Sequence, residues 1–283
     1  MTRACLVALA LLGVSGGSAN AGISSSAILN MQCHGNGRVT VVLISGYGDP
    51  LAMWHVARSP SGRYIASDLE PKLAQRSRVC GYDRSGEGMS PPTKGPQTFA
   101  DMAAALHRTL RAYHVTGPLV LVGHSLGGDV AVTYAALYPA SVRSVVLLDA
   151  TPAAFPRQSL RLIPAAATGA AAVTRAEVVN ILDWRTDVEH LDGPRAFAEL
   201  GRIRHLARGV RLRVLEHGIS FAATDPVYGR ALEKLWRAGQ RTWTKLVPHA
   251  KVETVAHSGH YIYQDAPNLV VRIILAEIKH ATQ

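Results

Sequence analysis

The chain has 283 residues, 48% of them hydrophobic and 18% charged, enough apolar material for a single domain with a substantial core. Its 30 Lys and Arg against 20 Asp and Glu leave a formal charge of +10. The cations are scattered, and no zinc spacing, aromatic–glycine RNA motif or basic tail accompanies them. A nucleic-acid partner is therefore set aside in favour of a basic protein with weak electrostatic attraction to anionic envelope surfaces.

Residues 1–21 read as a processing signal. Arg3 supplies a positive n-region, residues 5–14 are an almost unbroken apolar stretch, and Ala19-Asn20-Ala21 has the small-x-small form of a cleavage site. The apolar run is too short to span a bilayer, and nothing later reaches 18 uncharged apolar residues, so no transmembrane segment is expected. The expectation is a secreted or periplasmic protein cleaved near Ala21. Cleavage removes Cys5 and leaves Cys33 and Cys80, an even number in an oxidising compartment. A Cys33–Cys80 disulfide is expected there, the alternative being two buried thiols.

Residues 39–44 form a continuous β-branched run, as in a parallel strand buried on both faces, and stop at the turn-rich Ser45-Gly46-Tyr47-Gly48-Asp49-Pro50. A second strand covers residues 78–82 and is followed by Asp83-Arg84-Ser85-Gly86-Glu87-Gly88. The next helix is expected at 99–113, where Met102, Leu106 and Leu110 lie four apart on one face. A strand at 119–122 leads into Gly123-His124-Ser125-Leu126-Gly127-Gly128 and a helix that ends at Pro139, with a further strand at 142–149. Residues 152–208 then depart from strand–helix alternation, with helical stretches near 175–184 and 195–206, and read as an inserted helical cap. Strands near 210–215 and 251–256 and helices near 230–246 and 268–278 complete the chain. The pattern gives an α/β fold with a mainly parallel central sheet flanked by helices, its core at 22–151 and 209–283.

Glycines on both sides of Ser125 let the backbone turn sharply from strand to helix and expose the hydroxyl at the tip. A lone Gly-x-Ser-x-Gly is weak evidence, but the strand–turn–helix setting is the context that confirms it. Ser125 is read as a nucleophile, and Leu126 N–H, at the helix start, as a donor to a developing oxyanion.

Together Cys33-His34-Gly35-Asn36-Gly37, residues 78–84, the Gly123–Gly128 elbow, residues 146–150 and Ser258-Gly259-His260-Tyr261-Ile262 resemble the α/β-hydrolase superfamily, in particular a subgroup of exported bacterial serine hydrolases. The resemblance covers roughly residues 32–277 and implies the chain order Ser, acid, His. It places the strand bearing Cys80 close to the segment bearing Cys33, in support of the bridge. It also makes Tyr47 N–H the second oxyanion donor, with Ser45-Gly46 standing where His-Gly is commoner. The turn at Asp83-Arg84 is implied to brace the active-site loops through an internal ion pair, not to take part in chemistry.

His260 matches the Ser-Gly-His pattern and follows a glycine, whereas the competing His257 reads as a loop neighbour, and His124 as structural or pocket-lining. Many relatives carry the acid in a Gly-x-x-Asp turn, but His217-Gly218-Ile219-Ser220 has none at that spacing. Asp149 ends an apolar strand, where it can accept Nδ1–H of the histidine and fix its tautomer. Asp225, in an Asp-Pro turn, is the alternative acid. Tyr47 and Trp54 are open between walling an acyl pocket and packing in the core.

The expected activity is cleavage of small-molecule carboxylic esters through an acyl-enzyme. Amide, thioester and lactone hydrolysis by the same mechanism, or a non-catalytic binding protein on a hydrolase scaffold, are the alternatives. The sequence has no His-Glu-x-x-His and no dinucleotide-binding glycine fingerprint, and Cys33-His34 alone cannot make a zinc site, so no cofactor or metal is expected.

Overall fold

A computed structural model describes residues 27–283, and the expected signal at residues 1–21 lies outside them. The strands are β1 (Met31–His34), β2 (Thr40–Ile44), β3 (Val56–Arg58), β4 (Tyr64–Ala66), β5 (Arg78–Tyr82), β6 (Leu119–His124), β7 (Val142–Leu148), β8 (Arg211–His217) and β9 (Val252–Val255). Seven of them form one sheet in the order β1-β5-β2-β6-β7-β8-β9. Only β1 runs antiparallel, against β5; the other neighbours in this sheet are parallel. β3 and β4 pair separately as a hairpin that the sequence pattern did not disclose.

The unbroken apolar character of β2 follows from burial on two faces. Val42 and Ile44 enter one core with Leu121, Val145 and Leu147, while Val41 and Leu43 enter the other with Val120, Val122 and Val146. The first face is covered by α2 (Phe99–Ala112) and α3 (Leu126–Leu137), the second by α1 (Leu69–Ala74) and α9 (Pro267–Ala281), which follows the short α8 (Ile262–Asp265). Met102, Leu106 and Leu110 are all buried, as their spacing requires. At the antiparallel edge the register sets Cys33 directly opposite Cys80, and the two are disulfide-bonded.

Between β7 and β8 the chain forms α4 (Phe155–Leu162), α5 (Gly169–Leu182) and α6 (Gly193–Leu200) and no strand. α4 escaped the sequence reading, α5 begins earlier than expected, and α6 stops at Leu200 because Gly201 follows and the chain to 206 is irregular. Phe155, Ile163 and Ala171 of this helical segment pack on Leu232 and Trp236 of α7 (Gly229–Trp243), forming a small separate core.

Candidate active site

Ser125 sits between β6 and α3 at φ 50° and ψ −126°, a backbone region that costs a non-glycine residue energy. The strain is held by close packing: a Cβ on Gly127 would collide with the carbonyls of Ile44 and Ser45, and one on Gly128 with Ala150. These glycines therefore press the start of α3 onto the ends of the neighbouring strands. Ser125 N–H donates to Leu148 O at 3.1 Å, and Thr151 N–H donates to Ser125 O at 3.2 Å. The serine hydroxyl lies 3.3 Å from Thr151 Oγ1.

Asp149 follows β7 immediately and also adopts a left-handed backbone, φ 50°, pinned by its N–H to Leu215 O at 2.8 Å. Its carboxylate is fully buried. Oδ2 accepts from His260 Nδ1 at 2.7 Å and from His217 Nδ1 at 2.7 Å. Oδ1 accepts from Trp236 Nε1 at 2.8 Å and from His217 N–H at 3.1 Å. Burial opposes this charge, but hydrogen bonds from His217 and then His260 outweigh it and hold the carboxyl well below the usual range.

His260 is one-third exposed at its side chain, with its carbonyl accepting from Nε2–H of the buried His124 at 3.0 Å. That bond ties the histidine loop to the serine elbow, and the two rings stand 4.6 Å apart. Burial, then the neighbouring His260, pushes His124 well below the ordinary imidazole range, so it is neutral. No hydrogen bond joins Ser125 Oγ to His260 among the described residues; the hydroxyl is instead beside Thr151 Oγ1.

The other expected residues lie apart from this cluster. His257 is exposed. Asp225 is buried in a turn, where Oδ1 accepts the N–H groups of Val227 and Tyr228 at 3.0 and 2.9 Å and caps the approach to α7. Trp54 is wholly buried, stacked 4.2 Å from Tyr263, and donates Nε1–H to Ser45 Oγ at 3.0 Å. It is core, and it braces the loop where a serine replaces the commoner histidine.

The loop at Ser45-Gly46-Tyr47 is shaped by Arg84. The buried guanidinium donates to Ser45 O and Gly46 O, both at 2.5 Å, and pairs with Glu189 of the helical segment through two contacts of 2.6 Å. A trans peptide points its N–H opposite its carbonyl, so Tyr47 N–H faces away from Arg84. Glu189 Oε1 also accepts Gly48 N–H at 3.3 Å. The ion pair of this turn is thus Arg84–Glu189, across 105 residues, while Asp83 caps the N–H groups of Leu51 and Met89.

His217, Trp236, Glu233, Glu189 and Thr151 were not singled out from the sequence. His217 alone left a local sign, at the end of an apolar strand just before Gly218. Among the described residues no group of three or more His, Cys, Asp or Glu is arranged to hold a metal ion.

The family model for the alpha/beta hydrolase fold matches residues 39–170, from β2 through the elbow into α5. The 2-(acetamidomethylene)succinate hydrolase of Mesorhizobium japonicum is 39% identical over 120 residues, 41% of this chain and 41% of that protein. The chain thus matches about two fifths of the length of this curated relative. Among solved structures, E-2-(acetamidomethylene)succinate hydrolase aligns with a TM-score of 0.58 at 21% identity, over 89% of this chain and 95% of that one. A marine microorganism esterase aligns with a TM-score of 0.57 at 16% identity, over 88% and 98%. At these identities structural likeness carries the fold alone. With the strand order, the strained elbow and the matched family model in agreement, the chain has the α/β-hydrolase fold.

Proposed function

We propose that the protein is an exported serine hydrolase that cleaves carboxylic esters through an acyl-enzyme, with Ser125 as nucleophile, His260 as base and Asp149 as acid. The observation that carries the reading is the 2.7 Å contact between Asp149 Oδ2 and His260 Nδ1 beside a serine held in a strained strand–helix elbow. With Nδ1–H bonded to Asp149, Nε2 is the free acceptor on His260. Ser125 Oγ turns from Thr151 to Nε2 and attacks the ester carbonyl as its proton passes to His260. The oxyanion meets Leu126 N–H and Tyr47 N–H. Collapse breaks the carbon–oxygen bond to the leaving group, which departs with the proton from His260. Water then repeats the sequence on the acyl-enzyme, giving the acid and free Ser125.

Export is part of the same proposal: the signal at residues 1–21, with cleavage near Ala21, places the chain outside the cytoplasmic membrane, and the bonded Cys33–Cys80 pair supports an oxidising compartment. No helix among the described residues is long and apolar enough to cross a membrane. Residues 152–208 are proposed as a cap that sets acyl preference, supported by the contact of Phe155 with Trp236 at 4.8 Å between ring centroids. The chain lacking residues 1–21 is tested with a fluorophosphonate probe and p-nitrophenyl esters from acetyl to octanoyl, beside matched anilides. Ser125→Ala is expected to lose labelling and ester turnover while remaining folded. Labelling that survives Ser125→Ala, or none in the parent, overturns the reading.

A further inference from the structure

Asp149 serves two imidazoles. His217 and His260 both place Nδ1 at 2.7 Å from the same oxygen, Oδ2. The second ring is buried at 2% side-chain exposure, and its Nε2 lies 3.2 Å from Glu233 Oε2. Glu233 is itself ion-paired with Arg237 and accepts Phe221 N–H at 3.1 Å. An ionised carboxylate can only accept hydrogen bonds. A ring lying between two of them must therefore donate from both nitrogens, which makes it an imidazolium.

We propose that His217 is a permanently charged positioning residue, clamped between Asp149 and Glu233, that weakens the hold of Asp149 on the His260 proton and extends ester hydrolysis into acidic solution. The proposal rests on the triad assigned above. The charged groups facing the His217 ring are Asp149 from the end of β7, Glu233 and Arg237 from α7, Glu216 beside it on β8, and His260 across Asp149. Arg237 donates to His217 O at 3.1 Å and to Glu216 Oε1, so its charge is spent on Glu216 and Glu233. Burial opposes a proton on His217, yet the hydrogen bond to Asp149, that carboxylate's charge and Glu233 raise its affinity for one. Phe221 and Trp236 enclose the ring, with centroids 4.9 and 6.0 Å away, and limit access of water.

The two Nδ1 atoms are at most about 5.4 Å apart, the sum of two 2.7 Å contacts through one oxygen. A positive charge at that range disfavours a second one on His260, whereas Asp149 favours it. In the wild type, therefore, the charged His217 competes with His260 for the same carboxylate oxygen.

His217→Asn separates charge from geometry, because the Asn amide retains a donor in the δ position toward Asp149 but no charge. The acidic limb of its kcat/KM profile is expected to move up by about one pH unit, with plateau kcat within about tenfold of the parent. His217→Leu, lacking the donor as well, should lose a further tenfold or more in kcat. Independently of activity, long-range nitrogen NMR on the folded chain should show both ring nitrogens of His217 protonated at pH 7.5. An unmoved or downward-moved limb in His217→Asn overturns the proposal, as does a neutral His217 ring. Ser125→Ala run alongside separates the two failures: if it remains active the triad itself is wrong, and if it is dead while the limb stays put, only the role of His217 falls.

Discussion

Asp149→Asn tests the proposed triad at its most constrained point. The carboxylate accepts four donors, two on each oxygen. An amide supplies one acceptor oxygen, so its NH₂ must face either the two imidazole Nδ1–H groups or Trp236 Nε1–H and the His217 N–H. Either orientation leaves two buried donors opposed by a donor, at a cost on the order of 1–3 kcal/mol for each group left unsatisfied. Facing the imidazoles, the amide also favours the His260 tautomer that places the proton on Nε2, where it cannot accept from Ser125. In another serine triad this kind of change lowers turnover by about 10⁴. A loss in kcat on the order of 10² to 10⁴ is expected here, with the melting temperature lower by about 3–10 °C.

Asp225→Asn is the matched control. Its Oδ1 accepts Val227 and Tyr228 N–H, which an amide oxygen can also do, and its other oxygen is buried without a partner. Turnover should change less than tenfold. Steady-state kcat of the two purified variants on one p-nitrophenyl ester decides the matter. A nearly normal Asp149→Asn beside an inactive Asp225→Asn would move the acid to the later loop and leave Asp149 as a structural cap.

Three further outcomes follow from neighbouring contacts. Glu189→Gln weakens the pair that holds Arg84 against Ser45 O and Gly46 O; because a buried ion left without its partner costs about 3–5 kcal/mol, both melting temperature and kcat should fall, kcat by about tenfold or more. Unchanged kcat beside a lowered melting temperature would show that the oxyanion loop does not depend on the helical segment. Glu87 is buried beside Glu189, and burial first, then that charge, pushes its carboxyl up to about 7. The native state then holds a proton that the unfolded chain has released, so this group's contribution to stability declines from about pH 4.5 to 7; Glu87→Gln should flatten that decline and add about 1–2 kcal/mol at pH 8, and denaturant titrations parallel to the parent at every pH would refute it. Reduction of Cys33–Cys80 should add two hydrogens to the intact mass and destabilise by up to about 4 kcal/mol for a 47-residue separation; no mass change would mean that the thiols are free.

The legible part of the fold is the part whose causes are local. Val41, Val42, Leu43 and Ile44 alternate between two cores, so every residue of β2 had to be apolar, and the run announced itself. Gly123, Gly127 and Gly128 are forced by close approach of α3 to its neighbours, which is why the elbow could be read without any partner. The hairpin β3–β4 left no such mark: Tyr64, Ile65 and Ala66 are all exposed, so nothing drives an alternating pattern there. The braces of the site were hidden for a different reason. Arg84 meets Glu189 across 105 residues and Trp236 meets Asp149 across 87, and a single tryptophan or glutamate within a helix has no spacing that betrays its target.

The absence of an aspartate after Gly218 and the presence of His217 before it have one physical cause. β7 and β8 are neighbours in register, with Leu148 opposite Leu215, so the residues that follow each strand converge on the same buried volume. Once the end of β7 supplies Asp149 there, a second carboxylate from the end of β8 would place two like charges out of water at short range, which one of them could bear only by staying protonated. A donor is the side chain that such a volume accepts. His217 gives Asp149 both its N–H and its Nδ1–H, while its Nε2 faces Glu233, which is ion-paired with Arg237. Choosing which strand carries the acid therefore also chose the residue type on the adjoining strand, and a sequence search confined to aspartates meets only half of that exchange.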